Sequence, residues 1–191
     1  MLAPWLRVMW WLARPLRRLP PTAITVLGVV FAADAVLLAG SWPALAAVVV
    51  IVAVLCDGLD GAVALVADRA TGFGARADAV ADRVSDVAFA AALWRCGVPL
   101  AFAAVCGALA LMVDGVRRLR RVPSRVTVGE RPTWAICAVL ACGSAAVTSA
   151  HWPLLVCASV WAAAGVVAVI QVARPSDRSA LPPQRPGPAA E

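Results

Sequence analysis

The sequence contains no lysine: all 17 of its basic residues are arginine, set against 11 acidic residues for a net charge of +6. It also lacks any Cys-x-x-Cys pair. The six cysteines lie mostly inside apolar runs. That pattern excludes a structural zinc cluster and a disulfide framework, and leaves them as small buried side chains. No small-residue cleavage site follows the N-terminus, where tryptophan and arginine interleave, so a cleavable signal peptide is not expected. Charge is scarce, at 15% of residues, whereas 62% are hydrophobic. Globular domains hold roughly 45–50% apolar residues. With a mean hydropathy of +0.85, the chain reads as an integral membrane protein. Its 191 residues suit one domain. The arginines cluster beside apolar runs, so anionic lipid at a membrane surface is the expected partner, and nucleic acid is not.

Taken in order, the pattern predicts an all-α polytopic membrane protein with six transmembrane helices and an N-terminal interfacial amphipathic helix. Residues 1–22 form the arm. There Trp5, Leu6, Met9, Trp10 and Leu12 give an apolar aromatic side, and Arg7, Arg14, Arg17 and Arg18 give charge. Residues 23–173 form the membrane domain, with spans near 23–38, 43–67, 74–94, 98–116, 133–150 and 153–172. Residues 174–191 form a Pro-rich polar tail, expected to be disordered. Asp34, in the first span, lies toward the end far from the basic arm, where water is within reach. Six spans put both termini on one side. The arm, the 68–73 connection, the 117–131 loop and the tail then hold nearly all the arginines. The positive-inside rule makes that side cytoplasmic.

Four aspartates stand out in two clusters. Asp57 and Asp60 are spaced i, i+3, and Asp78 and Asp82 are spaced i, i+4, so on helices each pair shares a face. Two such faces turned together offer hard oxygen ligands, which suit Mg²⁺, Mn²⁺ or Ca²⁺ rather than zinc or copper. The second predicted helix exceeds the roughly 20 residues needed to cross hydrocarbon, so it carries its aspartates near its emerging end. The third begins with the other pair. Both pairs therefore fall near the arginine-rich membrane face. Asp86 continues the second pair one turn deeper. Carboxylates placed at mid-bilayer cost on the order of 2.5–3.5 kcal/mol each, which argues against chance placement.

This stretch resembles the signature of the CDP-alcohol phosphatidyltransferases, D-x2-D-G-x2-A-R-x8-G-x3-D-x3-D. Asp57, Asp60, Gly61, Ala64, Gly74, Asp78 and Asp82 fall at the required spacing, and residues 66–73 supply the spacer. The arginine expected after Ala64 is Leu65. Pro21, Thr22 and Thr25 resemble the family's P-N-x-x-T start of the first helix, with threonine for asparagine. The resemblance implies a cage for two ions, Mg²⁺ or Mn²⁺, with Asp57, Asp60 and Asp78 as the main metal ligands. Asp82 would be a further ligand and the catalytic base. It implies a CDP-diacylglycerol-like lipid donor, an alcohol acceptor, release of CMP, and a homodimer. Gly61 and Ala64 would let the nucleotide approach the helix backbone. Arg69 or Arg76 would reach the pyrophosphate in place of the missing arginine. For the acceptor, if phosphorylated, Arg83, Arg117, Arg118, Arg121, Arg125 and Arg131 are candidates; the 117–125 run is equally accounted for by topology and anionic lipid. A plasma-membrane enzyme of phospholipid synthesis, acting from the cytoplasmic face, is the leading expectation. The alternatives are a divalent-cation carrier, disfavoured because no chain of acids crosses to the other face, and a catalytically impaired member with a binding role.

Overall fold

A computed structural model describes residues 3–69, 71–120 and 131–174. The basic stretch at 121–130 and the tail from 175 lie outside the described residues. The chain forms α1 (Ala3–Leu16), α2 (Pro21–Ala39), α3 (Pro43–Val66), α4 (Gly72–Arg95), α5 (Leu100–Arg120), α6 (Arg131–Val147) and α7 (Trp152–Ala173), with no strand among the described residues.

Local chemistry sets the helix ends. Proline opens α2, α3 and α7, where its missing N–H costs nothing and its φ is already helical. Thr71 caps α4, its hydroxyl accepting from the Gly74 N–H at 3.0 Å. The far end of α4 closes on Gly97, at φ +116°. Gly97 N–H donates to the Trp94 carbonyl at 2.9 Å and Val98 N–H to that of Leu93 at 3.0 Å. This is a Schellman reversal, and the positive φ accounts for the glycine. The end of α3 closes in the same way on Asp68, at φ 53°. Here Asp68 N–H donates to the Leu65 carbonyl at 3.3 Å and Arg69 N–H to that of Ala64 at 2.9 Å. Aspartate tolerates this left-handed conformation better than most residues.

The helices pack through small side chains. α2 lies against α3 and α4, α4 also against α5 and α6, and α5 against α7. A Cβ on Gly28 would come within 3.3 Å of Cys56 Cβ across α2 and α3, and one on Gly165 within 2.9 Å of Leu109 Cβ across α7 and α5. Such close approach is how apolar helices gain contact when lipid already solvates their surfaces. Trp134 and Trp161 stack at 5.2 Å between ring centroids and join α6 to α7. α1 docks through buried Ala13, in a cluster with Ile24, Cys56 and Val63, while Trp10 and Trp11 remain exposed. Arg14 lies over the Trp10 ring at 3.9 Å.

Among the described residues, four helices are long and apolar enough to cross a membrane: α2, α3, α5 and α7. Six were expected. α4 has the length, at 24 residues, but Arg76, Asp78, Asp82, Arg83 and Asp86 lower its hydropathy. α6 is apolar, but its 17 residues reach only about 25 Å at 1.5 Å per residue. It ends at Val147 instead of continuing to 150. Even so, α4 shares the full length of α2. Its first turns face Pro21 and Thr25 across a cavity, and Cys96 at its end contacts the carbonyl of Ala39, the last residue of α2, at 3.7 Å.

Candidate active site

The end of α3 and the start of α4 meet at one end of the bundle. One carboxylate oxygen from each of Asp57, Asp78 and Asp82 lies within 4.8 Å of the others, and all three residues are half-buried. Three clustered oxygens are a donor set suited to a hard divalent cation, with room for further oxygen ligands from water or substrate.

Asp60, which sequence spacing grouped with these residues, is oriented differently. It is buried, at 4% exposure, and outside that trio. Its Oδ2 accepts from the Thr25 hydroxyl at 2.5 Å, and its Oδ1 from the Gly61 N–H at 2.6 Å. Thr25, on α2, also reaches the Pro21 carbonyl at 3.2 Å. Asp60 therefore ties α3 to α2 while facing the same cavity as Asp78. A buried carboxylate needs such donors to offset lost hydration.

The cavity holds about 500 Å³. Asp60, Gly61, Ala64, Leu65 and Arg69 form its α3 side, Gly74, Ala75 and Asp78 its α4 side, and Pro21, Thr22 and Thr25 its α2 side. Nothing lies within 4 Å of where a Gly61 Cβ would stand, so that backbone is open to the cavity. Leu65 is 77% exposed and contributes no charge. Among the described residues of the wall, Arg69 supplies the cation. The left-handed turn at Asp68 brings the chain back so that Arg69 stands beside Ala64.

Arg76 is exposed and does not line this cavity. Arg83 also lies outside it. Arg83 Nη1 is 3.3 Å from Asp82 Oδ2, and its Nη2 contacts Asp114 of α5. Asp114 in turn accepts from Arg118 Nε at 2.7 Å. Sequence reasoning missed Asp114 and the role of Thr25. The signal for Asp114 was available: an acid inside an apolar span, four residues before an arginine.

Apolar helices holding three carboxylates beside a cavity define a membrane protein with the donor set for a divalent cation. The chain belongs to the CDP-alcohol phosphatidyltransferase family, whose profile matches residues 18–173; it is a transferase of phospholipid biosynthesis. The structure is similar to phosphatidylinositol phosphate synthase of Mycobacterium tuberculosis solved in complex with manganese and citrate. There the TM-score is 0.69 and the identity 26%, over 85% of this chain and 86% of that one. It is also similar to the same enzyme with CDP-DAG bound, at TM-score 0.66 and 26% identity, over 87% of this chain and 90% of that one. No curated protein matched in a sequence search.

Proposed function

We propose that this protein transfers a phosphatidyl group from a CDP-diacylglycerol-like donor to a phosphorylated alcohol, releasing CMP, with Mg²⁺ or Mn²⁺ bound by the aspartates. The observation that carries this reading is the placement of the Asp57, Asp78 and Asp82 carboxylates beside a cavity walled by Gly61, Ala64 and Arg69. In this reading the nucleotide lies against the open backbone at Gly61 and Ala64. Arg69 neutralises donor phosphate oxygens by charge-assisted hydrogen bonds. Asp57, Asp78 and Asp82, with Asp60 at the cavity wall, hold the cation site. Charge neutralisation on the pyrophosphate is the chemistry that two divalent ions would supply there.

Asp82 takes the proton of the acceptor hydroxyl as its oxygen attacks the lipid-side phosphorus. The bond from that phosphorus to the bridging oxygen breaks, and CMP leaves with the electron pair. Arg83 and Arg118 are candidates to receive the phosphate of the acceptor. Inositol phosphate is the first acceptor to test, because the two solved structures compared above are of a phosphatidylinositol phosphate synthase; glycerol phosphate is the second. Arg76, exposed on α4, is a second candidate for the donor pyrophosphate. The arginine-rich face, which carries the site, is the cytoplasmic face of the plasma membrane in this reading, and the enzyme is a homodimer.

The test is CMP release by the full-length protein in detergent, with CDP-diacylglycerol, Mn²⁺ or Mg²⁺, and an acceptor panel. Release should require one acceptor. It should stop with EDTA, return on adding Mn²⁺ or Mg²⁺, and fall by roughly 10²–10⁴-fold in Asp82→Asn, the range for loss of a general base. Binding of metal and nucleotide with no release for any acceptor would favour the non-catalytic reading, with Leu65 as its support.

A further inference from the structure

The charged residues outside the cavity form a connected row. Asp82 and Arg83 are neighbours on α4, and Asp114 and Arg118 are one turn apart on α5. Asp114 sits between two guanidiniums, with Oδ1 on Arg83 Nη2 and Oδ2 on Arg118 Nε. Arg83 sits between two carboxylates. Its contact with Asp82, at 3.3 Å, is long beside the roughly 2.7–2.9 Å of a good charged N–H···O pair. Its contact with Asp114 is direct. Arg83 and Asp114 are each about one-quarter exposed, so the pair is only partly screened by solvent.

A guanidinium next to a cation-binding carboxylate is a competitor for it. A full Arg83–Asp82 ion pair would draw Asp82 away from Asp57 and Asp78. A second carboxylate, offered from another helix, removes that tendency. We propose that Asp114 is a positioning residue that holds Arg83 back from Asp82 and so keeps the Asp82 carboxylate within the cation-binding trio. This rests on the reading of Asp57, Asp78 and Asp82 as cation ligands. Outer partners of ligating carboxylates set ligand orientation, and losing one changes metal affinity by roughly 10–100-fold. The competing account is a strut, in which Arg83 and Asp114 do no more than join α4 to α5.

The two accounts separate in a binding experiment. Full-length protein in detergent is titrated with Mn²⁺ and free ion is followed by electron paramagnetic resonance, with Asp57→Asn marking the trio. Asp114→Asn is expected to weaken Mn²⁺ binding by about tenfold, and Asp114→Glu to bind nearly as the parent does. The double variant Arg83→Gln/Asp114→Asn is expected to recover most of the loss, because the competing cation is gone. A strut predicts no recovery. A double variant as weak as Asp114→Asn, or an Asp114→Asn protein that binds Mn²⁺ normally, overturns the proposal. Should Asp114→Asn not fold, Arg83→Gln alone decides: it must bind Mn²⁺ at least as tightly as the parent, and weaker binding overturns the proposal. If the parent itself binds no Mn²⁺, the cation reading of the trio falls and this inference with it. Normal parent binding beside an unchanged Asp114→Asn sinks the inference alone.

Discussion

Leu65 and Arg69 show what one residue changes. A leucine stands at the site where the family signature carries arginine, on the wall of the cavity, and among the described residues a single arginine reaches that wall, four residues later. If Arg69 takes over contact with donor phosphates, Arg69→Ala should raise KM for CDP-diacylglycerol about tenfold or more, the value of a lost charge-assisted hydrogen bond of roughly 1.5–3 kcal/mol. Leu65→Arg placed in that variant should bring KM back toward the parent value. A KM unmoved by Arg69→Ala, measured by CMP release, would remove Arg69 from the site. Thr25 is the other informative residue. Thr25→Val keeps the shape and strips a donor from buried Asp60, at a cost of about 1–3 kcal/mol for the orphaned acceptor, visible as a lower melting temperature in detergent. The spacing of Asp57, Asp60, Asp78 and Asp82 was legible in the sequence because both pairs ride on continuous helices. That Asp60 would face Thr25, and Arg83 would face Asp114, was not: those contacts depend on which helices become neighbours, 35 residues apart for Thr25 and Asp60.

At the scale of elements, the helix ends govern the site. The Schellman turn at Asp68 joins the last residue of the α3 wall to Arg69. Asp68→Val puts a β-branched side chain at a positive φ, which should cost about 1–2 kcal/mol and displace Arg69. Asp68→Gly should be neutral in both respects. Melting temperature and KM for the donor, measured together on the two variants, check this: equal values for both would separate the turn from the site. The elements themselves were largely readable. Helix starts followed Pro21, Pro43 and Pro153, and the α3 and α7 boundaries agree with the expected spans within about two residues. The span count was harder to read, since α4 mixes the charges of the site into a helix that is otherwise of membrane length.

For the whole molecule, the fate of α4 decides the topology. Its start faces the start of α2 across the cavity, and its end contacts Ala39 at the end of α2. That placement beside α2 is what a six-span topology requires of α4. Its charges do not prevent this. Asp78, Asp82, Arg83 and Asp86 are all half-buried or buried, and Arg83 is paired with Asp114 inside the bundle, which is where intramembrane charge is tolerated. Pro99, just beyond the end of α4, distinguishes the two topologies. If α4 and α6 cross, cysteines introduced at exposed Ser41, Pro99 and Ser149 should all react with a membrane-impermeant maleimide added to intact cells. One at exposed Arg18 should react only after the membrane is opened. If only the four most apolar helices cross, Ser41 and Ser149 remain accessible but Pro99 joins Arg18 inside, and residues 121–130 with their arginines come to lie outside, against the positive-inside rule. Accessibility of Arg18 from outside, with Ser41 protected, would invert the protein and place the aspartates away from cytoplasmic CDP-linked lipid. The results at Arg18 and Ser41 therefore fix the side on which α4 begins, and so the compartment from which Asp78 and Asp82 are reached, and with that side known the result at Pro99 fixes whether α4 crosses.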